Sequence, residues 1–170
     1  MSGPISMKES LVIFTEGARI NFQVFGHLVP VFAGILDGEP QTFGVVWENA
    51  TQKEEFSKKV EQWIAQDRLQ EYILVAEAWA VNVPEGDQHK VRDWLREHGS
   101  LENWPDRHEI VTVMYCNAQE EIEYTAEINR GIIPPLLGDW KVNHRKVRFN
   151  HDDFFTRFQG LFLKGKAGNN

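Results

Sequence analysis

One cysteine, three methionines and no long apolar run set the first limits on this chain. A lone thiol, Cys116, cannot close an intramolecular disulfide, which fits a reducing compartment. The longest apolar stretch, Leu28 to Leu36, is interrupted by Pro30 and Gly34 and falls far short of the roughly 20 residues a membrane-spanning helix needs. Lys8 and Glu9 precede the short apolar patch Leu11 to Phe14, so no secretory h-region is read there. The expectation is a cytoplasmic protein with no membrane partner. A Gly-rich phosphate loop, a His-Glu-x-x-His pair, a Cys-x-x-Cys pair, a nucleophile elbow and a calcium loop are all missing, which argues against the commonest motif-bearing enzymes. Six histidines include no close i, i+4 pair, so neither a metal nor a cofactor is expected.

Positive charge is also scarce and unevenly placed. The 18 Lys and Arg face 25 Asp and Glu, for a net charge of -7. Residues 139 to 170 hold seven basic and three acidic side chains, a balance of +4, which leaves the preceding 138 residues at -11. An acidic body repels phosphate backbones, so nucleic-acid binding over a broad surface is disfavoured, and only Arg145, Lys146 and Arg148 form a local basic candidate. The simpler reading of that run is contact with the acidic body of its own chain.

Large rings are plentiful: six Trp and 11 Phe in a chain that is 42% hydrophobic and 25% charged. With 170 residues, that supports one packed α+β domain over 1–165, followed by a disordered tail over 166–170. Leu11, Phe14, Ala18 and Phe22 recur at helical spacing and predict a helix from about Lys8 to Phe22. Val29 to Leu36 and Thr42 to Trp47 read as a hairpin with a longer loop through Asp37-Gly38. Asn49 suits the polar start of a helix, and Thr51-Gln52-Lys53-Glu54 fits a capping box for a second helix carrying Phe56, Val60, Trp63 and Ile64 on one face. Tyr72 to Val81 is the clearest strand, apolar on both faces and therefore central. Its alanines, 76, 78 and 80, predict close approach by a helix.

Val91, Trp94 and Leu95 predict a short surface helix that stops at His98-Gly99. Glu109 to Cys116 and Glu121 to Ile128 then predict a hairpin across Asn117 to Glu120. Ile132 to Leu137, with two prolines, reads as a stiff apolar loop, and Phe154, Phe155, Phe158, Leu161 and Phe162 predict a final helix capped at Asn150. The sum is an antiparallel sheet of about five strands covered by two or three helices.

Chemistry concentrates around Glu77. It shares a strand face with Trp79, and Arg107, His108 and Glu109 enter the next strand, so a ligand pocket would use Glu77 as base or anchor, Arg107 as anion grip and Trp79 as stacking surface. The competing reading is a structural ion pair of Glu77 with Arg107 or His108 that fixes strand register. Glu121, Glu123 and Glu127 alternate onto one face, either as a cation site or as the charged outer face of an edge strand, and edge protection is the simpler account. Cys116, inside a strand, is read as a small apolar residue.

The pairing of Glu77-Ala78-Trp79 with Trp104-Pro105-Asp106-Arg107-His108-Glu109-Ile110 resembles a pattern in small bacterial or phage-related proteins of unknown function. The resemblance implies a prokaryotic accessory protein and carries over no catalytic residue. Taken together, the sequence points first to a non-catalytic interaction or regulatory module, self-associating as a homodimer through the Phe-rich C-terminal helix or the Ile132 to Leu137 loop. A small-molecule or anion-binding enzyme using Glu77, Arg107 and His108 is the second reading, and a local nucleic-acid binder the third.

Overall fold

A computed structural model describes residues 5–146 and Phe162. The elements run α1 (Leu11–Phe25), β1 (Val31–Leu36), β2 (Glu39–Gly44), α2 (Ala50–Ala65), β3 (Leu69–Ala80), α3 (Gln88–His98), β4 (His108–Asn117), β5 (Glu120–Asn129), β6 (Leu136–Leu137) and β7 (Lys141–Lys146). All strand pairs are antiparallel, in the order β2-β1-β3-β4-β5-β6, with β7 also on β5. The fold is α+β. Two strands beyond the expected five come from the proline-containing loop and the basic run, neither of which shows the apolar alternation that marks a half-buried strand.

β3 is central, as its two apolar faces require, and alternation splits its side chains between two cores. Ile73 and Val75 meet Val111, Val113 and Tyr115 of β4 and the inward stripe Leu11, Ala18 and Phe22 of α1. On the other face Tyr72 and Leu74 meet Met114, Cys116, Phe32 and the Val60 and Ile64 side of α2. Phe32 anchors this second core, with the rings of Phe43, Phe56, Trp63 and Tyr72 between 5.3 and 6.1 Å away. Phe162 joins it, stacked on Tyr72 at 5.9 Å and buried, so this ring of the expected C-terminal stripe is consumed by the chain's own core. The rest of that helix, the tail 166–170 and Arg148 lie outside the described residues.

Two local expectations are corrected. The first hairpin closes in two residues rather than a longer loop: Asp37 and Gly38 take φ of 53° and 80°, a pairing of left-handed conformations that matches strand twist. Arg68 holds this turn through Nε to Asp37 Oδ1 at 2.9 Å and Nη2 to Oδ2 at 2.8 Å. The cap of α2 is Asn49, whose side chain accepts from the Gln52 N–H at 2.9 Å, while Gln52 Oε1 accepts from the Glu48 N–H. Thr51 is already inside the helix, because Asn49 satisfies the first free amides two residues earlier. No described helix is long and apolar enough to cross a membrane.

Candidate functional site

Alternation along β3 and β4 divides the sequence candidates between the sheet faces. Glu77, Trp79 and Glu109 lie on the α1 face, where Glu77 stands across from Val111 and Trp79 across from Glu109. His108 lies one residue out of phase and points to the opposite face, where its Nε2 is 3.5 Å from Glu127 Oε1. The side chains of Glu77 and His108 therefore lie on opposite faces of the sheet. Arg107 does not reach Glu77 either. Its guanidinium covers the Trp79 ring at 4.9 Å and donates to the Trp104 carbonyl at 3.2 Å, as a brace on the turn before β4.

The cation that Glu77 needs is Arg130, at the end of β5. Arg130 Nη2 is 3.4 Å from Glu77 Oε2, its Nε donates to both oxygens of Glu109 at 3.1 and 2.9 Å, and its Nη1 donates to the Gly26 carbonyl at 3.0 Å. The second oxygen of Glu77 accepts from the Leu28 N–H at 2.9 Å. A planar fork of donors is what lets one side chain join two carboxylates and a carbonyl. The junction joins the α1–β1 connection to β3, β4 and the end of β5, and gives Glu77 a partner different from those its own neighbourhood suggests. The only sequence signal for Arg130 is a cation closing the clean alternation of β5, and nothing there says which acid it meets.

The opposite face holds a larger feature. Between α2 and α3 the sheet forms the floor of a groove of about 880 Å³, within the size range of ligand sites. Ala76, Ala78 and Ala80 of β3 with Ile110 and Met114 of β4 make an apolar half. α2 covers the aromatic end of this face through Val60 and Ile64, and the alanine row expected to receive a helix instead lines the groove. The other half is polar: Glu123, Thr125 and Glu127 of β5, with Lys141 and Asn143 of β7. Walls come from Lys53, Glu54, Ser57 and Glu61 of α2 and from Val91 and Leu95 of α3.

Both signs of charge line the groove, and the buried member is acidic. Glu123 is buried and accepts from Thr112 Oγ1 at 3.3 Å; Lys53, Glu54 and Glu61 are half-buried, and Arg96, Glu127 and Lys141 are exposed. β5 is flanked by β4 on one side and by β6 and β7 on the other, so its carboxylates are not the guard of an edge strand. Glu121 and Glu123 are buried under the α2 face. Among the described residues no three His, Cys, Asp or Glu are grouped to hold a metal ion.

Residues His144, Arg145 and Lys146 of the basic run belong to β7. Its register sets Arg145 across from Glu121 and Lys146 across from Glu120, and the His144 ring meets Glu120 Oε2 at 2.9 Å. Lys8 and His144 together hold the Glu120 carboxyl below its ordinary pKa. In the loop after β5, Ile133 is exposed while Leu137 is buried in the α1-side core. No protein-family model, curated protein or solved structure matches the chain.

Proposed function

We propose that the protein is a non-catalytic interaction module that takes a basic segment of another protein into the α2–α3 groove. The observation that carries this reading is the buried carboxylate of Glu123 on the floor of the groove, next to an apolar strip. Lys and Arg side chains combine an apolar stem with a cationic head. The Ala76, Ala78, Ala80, Ile110 and Met114 strip suits the stem, and Glu123, with Glu54 and Glu61 above it, suits the head. The -11 balance of residues 1–138 would steer such a partner toward the molecule and suppress acidic competitors. Engagement of Glu77 and Glu109 by Arg130 favours a structural over a catalytic role for those acids.

The test is an amide NMR titration with the blocked peptide Ala-Leu-Arg-Leu-Ala, beside the same peptide carrying Glu in place of Arg. Shifts confined to residues 76–80, 110–114 and 123–127, weakened by salt and removed by Ala78→Leu, are expected. Equal response to the acidic peptide, or shifts elsewhere on the molecule, would reject the reading.

A further inference from the structure

Among the described residues three Lys and Arg side chains line the α2–α3 groove, and two of them are engaged within the chain. Lys53 covers the Trp47 ring at 5.4 Å, and Arg96 lies 3.6 Å from Asp93, one turn earlier on α3. Lys141, exposed on β7, differs. Its ammonium makes no ion pair, hydrogen bond or ring contact with any described residue.

The surroundings of Lys141 give that freedom a meaning. The pairing of β7 with β5 sets Lys141 across from Thr125, so both side chains rise from the groove floor. Glu123 and Glu127 stand two residues before and two after Thr125 on the same face of β5. Each is therefore diagonal to Lys141 at about 7–8 Å, a separation that long side chains can span. Both carboxylates take other partners: Thr112 Oγ1 donates to Glu123 at 3.3 Å, and the His108 ring lies 3.5 Å from Glu127. The β5–β7 side of the groove thus carries charge in the order negative, positive, negative, with the positive member uncommitted.

A ligand bearing cations alone would bring like charge beside Lys141 as it approached the acidic positions, whereas a ligand with an acid next to its base meets both signs. In an extended chain, residues i and i+2 lie on one side about 6.7 Å apart, which matches the diagonal from either carboxylate to Lys141. We infer that Lys141 is a specificity-determining residue of the groove, selecting basic segments in which an acidic side chain lies two positions from the Arg or Lys. The inference rests on the proposal that the groove takes a basic segment, and it names the kind of segment preferred.

Amide NMR titration of the full chain tests it, with blocked Ala-Leu-Arg-Leu-Ala as the reference and with Glu placed either two positions before Arg or two after it, to cover both chain directions. One of the two Glu-containing peptides is expected to bind about threefold tighter than the reference, the size of an exposed ion pair. Lys141→Ala should erase that gain while binding the reference at least as well as the wild type does. Lys141→Arg should keep the gain, and Lys141→Glu should transfer the preference to a peptide with Lys at the same position, an outcome that a misfolded variant could not give. A gain that survives Lys141→Ala, or a reference peptide that binds as tightly as both Glu-containing peptides, would overturn the role of Lys141 and leave the groove proposal standing. No binding by any of the three peptides would overturn the groove proposal and this inference with it.

Discussion

Arg130 and Glu77 meet across 53 positions of sequence, Nη2 to Oε2 at 3.4 Å, and the same guanidinium holds Glu109 and the Gly26 carbonyl. Each of the two ionised side chains is partly exposed, which moderates the energy of the contact, but the geometry spans four separate chain segments.

Arg130→Ala is expected to destabilise the protein by about 1–2 kcal/mol, since it leaves two carboxylates and a carbonyl without their shared donor. Arg130→Lys should recover less than half, because an ammonium lacks the planar fork. Urea unfolding of both variants and of Glu77→Gln, combined as a double-mutant cycle, checks this, and additive effects would show that the junction is not coupled.

Gly34 is expected not to tolerate a methyl group. A Cβ there would lie 2.9 Å from Leu69 Cδ1, 3.1 Å from Phe32 Cε1 and 3.2 Å from the Glu71 carbonyl oxygen. Gly34→Ala should cost about 1–3 kcal/mol as overpacking of a filled core, whereas Gly17→Ala, with open space around it, should raise stability slightly. Thermal unfolding of the two variants side by side gives the comparison.

The α2 cap offers a test in which neighbouring residues have opposite expectations. Asn49→Ala should cost about 1 kcal/mol through loss of the acceptor for the Gln52 N–H. Thr51→Ala, at an exposed position already inside the helix, should be neutral or mildly stabilising. Equal losses would mean that the helix begins elsewhere.

Acid sensitivity follows from Asp37. Its hydrogen bonds from Arg68 hold the carboxyl below its ordinary pKa. Because the folded value lies below the unfolded one, the stability it contributes is present above the unfolded pKa, about 4, and is lost as pH falls through the folded value. Asp37→Asn retains a residue suited to the left-handed turn but removes the titration. The variant should melt below the wild type at neutral pH, with the gap closing under acid, and a gap constant with pH would exclude the linkage.

Much of the scaffold is legible in the sequence because periodicity is local. The two-faced apolar pattern of Tyr72 to Val81 places β3 in the middle of the sheet, and the alternation after Glu120 divides β5 between its two faces. Partners are less legible. Arg107 and His108 adjoin Glu109 in sequence, yet strand alternation sends His108 through the sheet and the Trp104 turn lays Arg107 on Trp79. Arg130 arrives from a distant strand end that only the tertiary register brings near. The groove is illegible for a related reason, since three alanines describe equally a floor for a packed helix and a floor left open, and only the position of α2 decides between them. β7 lacks an apolar rhythm and is specified by its pairing with the acidic strand β5.

Among the described residues the sheet terminates at β2 on one border and, along most of β5, at β7 on the other, and each border strand is poor at recruiting further backbone. β2 carries Pro40, which supplies no amide hydrogen, and β7 is built from Lys141, Val142, Asn143, His144, Arg145 and Lys146. A border strand of that composition is a poor template for further pairing, so replacing Lys141 with a neutral residue is expected to lower solubility.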